Sequence, residues 1–392
     1  MTEAPVGSQS LRILMAACVP RRREGGVAAT MYGFGGQLEQ RGHSVTYLFL
    51  DDLVDPKSAW PRFHEVIFAH RLSKYIAKNR DKFSIVNLHA PAGFLYGIRR
   101  RWFGSRNDPP YVMMLHGLEE RRVHVMSREA RKGRAWNFSL KNRLWHRLYI
   151  FPRYRWAIGT ADGAHSNSRD VWNHLQLKYN LDADRTAYTP SGVEPRFFLP
   201  RRYDSAGPFK LLFVGTWLDQ RGIFYLRDAL ERVAPQLPGM TMTFAGGGCP
   251  AEAIQSFFGT KLAPNIVVTP VVPVGQMQEL FAAHDIFLFP SLMEGLPTVV
   301  LEAMASGMPV ITCETCGMPD VIADDFNGLL IPPADAPAIE AAVLRLAGSP
   351  ELRERLGRAA QESMKRYTWE RSALRLERLF RHFIASEGQK SG

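Results

Sequence analysis

FPSLMEGLPTVVLEAMASGMPVITCETCGMPD, residues 289–320, is the stretch whose reading decides the fold. The apolar run Ile286–Pro290 ends at Pro290–Ser291, and a turn-like SLMEGLP follows. Thr298–Ser306 then reads as a helix, Gly307 closes it, and Pro309–Thr312 starts another strand. Pro297 stands just before the helix, where its missing N–H costs nothing and the free backbone amides point outward. Those amides and the helix dipole favour an anion such as a diphosphate. Glu294 sits in the turn and Glu302 one helical turn in, with seven residues between them. Eight residues of helical rise reach ~12 Å at most, about the length of a sugar–diphosphate–ribose unit. Carboxylates accept hydrogen bonds from vicinal hydroxyls, so an acid at each end suits two polyols flanking a diphosphate. Two glutamates at this spacing in isolation are better read as solvated side chains on a capped helix. The surrounding PS-x2-EG-x-P and EAMASG-x-PV text reverses that reading.

Working outward, strand and helix patterns alternate on both sides of this stretch. Upstream lie Lys210–Val214 (strand), Gly222–Val233 (helix), Met240–Ala245 (strand) and Pro250–Phe257 (helix); downstream, Pro337–Leu346 and Pro350–Arg366 read as helices. The proline- and charge-rich Pro195–Pro208 has no usable periodicity and reads as a linker. Before it the alternation runs Leu11–Val19, a helix from about Val27 to Gln40, Ser44–Leu50, Ile85–His89, Tyr111–His116 and Gly163–Asn167. Such alternation argues for parallel sheets covered on both faces. The predicted organisation is α/β, two Rossmann-like doubly wound domains in series. Their boundaries fall at 1–195, a linker at 196–208, 209–367, and a last helix over 368–392. Ligands in such sheets bind beyond the carboxyl ends of the strands, so the loops Gly25–Gly26, His116–Gly117, Gly215–Arg221 and Glu294–Thr298 matter most. No G-x-G-x-x-G follows the first strand, since Gly33, Gly35 and Gly36 fall inside the predicted helix, where they permit close packing.

With 46% hydrophobic and 22% charged residues the composition is that of a globular protein. No apolar run approaches the ~18 residues of a membrane-spanning helix. The short run Leu11–Val19 lacks a basic flank and reads as a buried strand rather than a signal peptide. Four cysteines do not make a disulfide framework at this length, and a cytoplasmic protein is expected. Cys313-x-x-Cys316 lacks the second pair a zinc site needs. The charge divides unevenly. Residues 1–200 hold 31 Lys+Arg against 17 Asp+Glu, and residues 201–392 hold 18 against 21. The basic surplus therefore belongs to the first half and points to an anionic partner there. Residues 121–156 concentrate it, with eleven Lys+Arg, one acid (Glu129) and seven aromatics. Basic residues interleaved with Trp and Tyr suit an interfacial segment on anionic lipid. Stacking on nucleic-acid bases uses the same residue types but fits the rest of the chain less well. Arg121, Arg122, Arg131, Lys132, Trp136 and Trp145 are the candidate acceptor or membrane surface.

FPSLMEGLPTVVLEAMASGMPVI resembles the donor-site signature of retaining glycosyltransferase family 4, the glycosyl transferases group 1 of GT-B fold. RGHSVTYL, MLHG, ADGAHSNS, PSGVEPRFF, LLFVGTWLDQRG and FNGLLIPPAD extend the resemblance over most of the chain. It implies two facing domains with a cleft between them, the last helix crossing back to the first. It further implies a nucleoside diphosphate-sugar as donor, a glycan, glycolipid or lipid-linked hydroxyl as acceptor, and neither metal nor other cofactor. By that resemblance Glu294 contacts the transferred sugar, while Gly295, Leu296 and Thr298 offer backbone amides to sugar and diphosphate. Glu302 holds the ribose and Arg221 neutralises the leaving diphosphate. Gly26 and Gly215 let backbone approach the phosphates, and His116 contacts the reacting sugar or acceptor. Thr216 departs from the family pattern, which has arginine there, and weakens the phosphate clamp. Arg21–Arg23 are candidates to compensate. A non-catalytic nucleotide-binding scaffold and another GT-B enzyme, such as a sugar epimerase, stay open as alternatives.

Overall fold

The computed structural model describes residues 9–22, 26–55, 63–105, 107–136, 138–203, 207–273 and 275–389. Among them, twelve strands form two six-stranded sheets in which every pairing is parallel. The first contains β1 (Arg12–Ala16), β2 (Ser44–Leu48), β3 (Ile85–His89), β4 (Tyr111–Leu115), β5 (Gly163–Ser166) and β6 (Thr186–Tyr188). The second contains β7 (Lys210–Val214), β8 (Thr241–Ala245), β9 (Ile266–Thr269), β10 (Ile286–Phe289), β11 (Val310–Cys313) and β12 (Leu329–Ile331). Central strands such as IVNLH, YVMML and IFLF are buried at every residue. Helices cover both their faces, which is why these strands read as unbroken apolar runs rather than alternating ones.

Strand order is β2-β1-β3-β4-β5-β6 in the first sheet and β12-β11-β10-β7-β8-β9 in the second. Each order reverses once, between β1 and β3 and between β10 and β7. In doubly wound sheets the loops leaving the carboxyl ends at a reversal diverge to opposite faces and open a crevice. The Arg221 and Glu294 loops leave β7 and β10, the neighbours at the second reversal.

The chain forms two compact units: residues 1–117, 145–191 and 369–392, and residues 118–144 with 192–368. Residues 118–144, counted with the first domain on sequence grounds, pack in the second unit. The cause is local chemistry: the Trp136 ring lies 5.4–6.3 Å, centroid to centroid, from Phe224, Phe257 and Trp217. The Trp369–Gln389 helix belongs to the first unit, where Trp369 meets Phe34 edge-on at 5.3 Å. Gly33 makes that possible, because a Cβ there would lie 2.5 Å from the indole. A Cβ at Gly35 would collide with Tyr47, whereas Gly36 faces open space.

Glu377 anchors the same helix. Its carboxylate, 6% exposed, accepts from Arg41 Nε at 2.6 Å and Arg381 Nε at 2.9 Å, with His43 Nε2 at 3.2 Å. Burial pushes the Glu377 carboxyl up, but Arg41, Arg381 and His43 outweigh it and hold it below its ordinary value. A lowered carboxyl contributes stability above the unfolded value, 4.5, that is lost as pH falls through the folded one. Glu377→Gln is therefore expected to cost about 1–3 kcal/mol at pH 7, Arg41 being partly solvated. The cost should shrink below pH ~4, as measured by chemical unfolding of variant and parent.

Candidate functional site

The site is built where β7 and β10 run side by side, with Leu211 opposite Ile286 and Leu212 opposite Phe287. Beyond β7, Gly215 and the exposed Thr216 lead to a single 3-10 turn, Asp219–Arg221. Beyond β10, residues 290–297 form the turn that enters the Thr298–Ala305 helix. The two loops are stitched together: Leu292 N–H donates to the Gln220 carbonyl at 2.9 Å, and Ser291 Oγ to the same carbonyl at 3.2 Å. Gly222, at φ +75°, lets them approach, since a Cβ there would strike the Pro290 carbonyl.

This juxtaposition places Arg221 Nη1 2.6 Å from Glu294 Oε1, with side chains 17% and 14% exposed. Ser291 Oγ also lies 3.2 Å from Glu294 Oε1, which competes with the Gln220 carbonyl for its single hydroxyl proton. Burial lifts the Glu294 carboxyl above its ordinary range, while Arg221, then Ser291 and Gln220, pull it back down. The Arg221 guanidinium lies 5.0 Å over the Phe289 ring. Its Nε is buried and has no hydrogen-bond partner among the described residues. A buried, charged donor with nothing to donate to is costly.

No side chain caps the Thr298–Ala305 helix, whose start is formed by Pro297 at φ −67°. One turn in, half-buried Glu302 has its carboxyl pushed up to about 7 by burial and by nearby Glu194, with Arg196 opposing. Arg196 Nε pairs with Glu194 at 2.9 Å. Gly295 and Leu296 are more occupied than their sequence suggested. The Gly295 carbonyl accepts from Gly317 N–H at 3.0 Å, and the Leu296 side chain, 2% exposed, belongs to the core. Their amides and that of Thr298 still border the turn.

Residues 119–136 brace the Arg221 loop from within the same unit. Trp136 N–H donates to Asp219 Oδ2 at 2.7 Å, two residues from Arg221. Lys132 Nζ contacts Glu129 at 2.9 Å, Glu129 accepts from Tyr225 OH at 2.6 Å, and Arg134 reaches Asp228 at 2.6 Å. The six candidate surface residues therefore do not form one strip. Lys132 and Trp136 turn toward the second unit's own partners, and Arg122 pairs with Glu119 at 2.5 Å. Arg121 is half-buried, Arg131 is exposed, and Trp145, in the first unit, stacks on Tyr149 at 4.0 Å. Alternating charge and aromatic residues cannot reveal in sequence which of them meet internal partners.

In the first unit His116 follows β4, and its Nε2 lies 2.7 Å from Nδ1 of His89 at the end of β3. Burial pushes His116 down to about 4 and lowers His89 strongly, with His116 and His165 adding to the fall. Both are neutral at pH 7, so His116 can donate or accept a hydrogen bond but carries no positive charge. His89 Nε2 is buried without a partner among the described residues. Gly26 opens the Gly26–Gln40 helix at φ +58°; Gly25 and Arg23 lie outside the described residues. Asp219, Ser291, Glu194 and His89 were not singled out from the sequence. Ser291 and Asp219 lie inside the two quoted motifs, and that proximity was the available signal.

Two family models match the chain, Glycosyltransferase Family 4 over residues 24–197 and Glycosyl transferases group 1 over residues 199–363. The amylovoran biosynthesis glycosyltransferase AmsK of Erwinia amylovora is 29% identical over 184 residues, 45% of each chain. The chain spans about half the length, or less, of the curated relatives it matches. Sucrose-phosphate synthase from Thermosynechococcus elongatus superposes with a TM-score of 0.75 over 95% of this chain and 99% of that one, at 19% identity. HepE of Anabaena, solved in complex with UDP-glucose, gives 0.67 over 96% and 100%, at 14% identity. At such identities the likeness establishes the fold, two parallel α/β units of GT-B type.

The raised Glu302 carboxyl has a measurable consequence in the unliganded protein. Between its ordinary value, 4.5, and about 7, the folded chain holds a proton that the unfolded chain has released. Stability therefore falls as pH rises through that window. Glu302→Gln should flatten the fall and stabilise the protein by about 2 kcal/mol at pH 8. Unfolding free energies of both proteins across pH 4.5–8 check this.

Proposed function

The chain belongs to the GT-B glycosyltransferases, its first half of family 4 and its second of group 1, and from that premise we propose the reaction it carries out. It moves a sugar from a nucleoside diphosphate-sugar to a hydroxyl of a glycan, glycolipid or lipid-linked acceptor, with retention at the anomeric carbon. The observation that carries this reading is the largely buried Arg221–Glu294 pair held where the β7 and β10 loops meet, a guanidinium and a carboxylate side by side.

The catalytic task is electrostatic. The diphosphate accepts from Arg221 and from the uncapped start of the Thr298–Ala305 helix, so charge developing on the leaving group is met without reorganisation. Glu294 accepts from hydroxyls of the transferred sugar, and Glu302 from the vicinal hydroxyls of the ribose. The departing phosphate oxygen takes the acceptor's proton, and no protein nucleophile is needed. Arginine and helix dipole supply the positive charge, so the reading requires no metal. AmsK, named for amylovoran biosynthesis, supports a role in cell-surface polysaccharide or glycolipid synthesis. The UDP-glucose bound to HepE supports a nucleotide-sugar donor without selecting the base. The basic surplus of residues 1–200 supports cytoplasmic work at an anionic membrane face, where lipid-linked acceptors reside. The association proposed is peripheral, and no helix among the described residues is long and apolar enough to cross a membrane.

Arg221→Ala is expected to lower kcat/KM about 10²–10³-fold by removing a preorganised donor to the leaving group. Glu302→Ala should chiefly raise the donor KM, by about tenfold. Near-parental transfer and donor hydrolysis in both variants would overturn the site. Proton NMR of the first-formed product reports retention or inversion. Nucleotide binding without turnover across a broad donor and acceptor screen would favour the scaffold alternative.

A further inference from the structure

The first unit carries an exposed aromatic and cationic patch that joins the end of the basic 121–156 stretch to a second element. It is formed by the end of the Phe94–Phe103 helix and by the helical run from His146 through Thr160. Trp102 is 51% exposed, Phe103 81%, Leu148 67% and Trp156 47%. The two indoles meet edge to face at 5.3 Å. Between the two segments lies an open cleft of about 520 Å³, walled by Trp102, Trp156 and Pro152 and flanked by Arg101 and Arg155. Along the second run, Leu148, Pro152, Arg155 and Gly159 recur every three or four residues, the spacing of one helical face, with Trp156 next to Arg155.

The charges around this patch are of one sign. Residues 94–103 and 145–160 contain six arginines and no Asp or Glu. Three of the six are engaged: Arg99 with Asp108, Arg100 with Asp162, and Arg153 with Glu65. The others, Arg101, Arg147 and Arg155, are exposed and make no ion pair among the described residues. Apolar side chains of this size rarely protrude together on a surface that meets only water. Indoles flanked by arginine settle at the headgroup level of a bilayer, where one end is apolar and the other wet. Leu148 has no face on which a base could stack, which disfavours nucleic acid. A second copy would set arginines against arginines.

We infer that this patch seats the chain on an anionic phospholipid surface. Phe103 and Leu148 enter the acyl boundary, Trp102 and Trp156 lie at headgroup depth, and a lipid phosphate occupies the cleft between Arg101 and Arg155. The inference rests on the peripheral-membrane part of the function proposed above and narrows the basic, aromatic stretch 121–156 to its end, joined there by the end of the Phe94–Phe103 helix.

Flotation of the full chain with phosphatidylglycerol/phosphatidylcholine vesicles tests it. The parent should float with the anionic vesicles at low salt, not with phosphatidylcholine alone, and less at high salt. The double variant Phe103→Glu, Arg155→Glu should partition at least about tenfold less. Leu177→Glu, an equally exposed apolar position on the Arg169–Tyr179 helix, should float like the parent. All three proteins should melt alike, because the altered side chains are exposed. A double variant that floats like the parent overturns the patch while leaving peripheral membrane association standing. A parent that does not float at low salt overturns both. Loss of a dimer or of oligonucleotide binding in the double variant, with flotation unchanged, reassigns the patch to that partner.

Discussion

The parallel pairing of β7 with β10 is the constraint on which the second unit's chemistry depends. These strands are far apart in sequence, and their adjacency is the point where the sheet's strand order reverses. Their loops leave from the same edge and would diverge without the cross-links between Leu292 and Gln220 and between Ser291 and Gln220. Gly222 keeps those links short. Only then does Arg221 lie beside Glu294 in a place dry enough for the pair to be strong and costly to break. Mispairing of either strand would dismantle the site without touching a residue in it.

Around that pair the second unit holds its charges in partial compensation. Glu294 is raised by burial yet faces Arg221; Glu302 is raised to about 7, with Glu194 near it and Arg196 opposing. Each carboxylate retains acceptor capacity that sugar or ribose hydroxyls can use, and Arg221 retains a buried donor. Thr216 offers no cation to assist it. What the loop lacks in charge it gains in rigidity. Asp219 accepts the backbone N–H groups of Trp136 and Gln220, and the rings of Trp217, Phe224 and Phe257 pack against one side of the partly exposed Trp136. Residues 118–144 thus contribute to positioning Arg221 through Asp219, two residues before it.

The first unit handles its positive surplus differently. Arg41, Arg99, Arg100 and Arg153 meet carboxylates, and the triad His89, His116 and His165 stays neutral through burial. The cations left at the surface beside exposed apolar side chains gather where the Phe94–Phe103 helix ends. Charge asymmetry in the sequence announced an anionic partner, but ion pairing inside the unit decides which arginines remain to meet one.

Residues 289–320 by themselves determined a strand, a turn, a helix start and two acids at a spacing suited to a nucleotide-sugar. The alternation around them determined two parallel α/β units, because apolar runs and helical periods are local properties of the chain. The three-residue strands β6 and β12 were too short to carry such a signal. Tertiary structure alone decided that Arg221 pairs with Glu294, that Glu194 crowds Glu302 and that His89 meets His116. It alone set Trp136 against the rings of Trp217, Phe224 and Phe257 in one unit and brought Trp102 and Trp156 together on the surface of the other. Those outcomes depend on which strands become neighbours and which charges find partners, and both are set by long-range packing that no local pattern of residue types encodes.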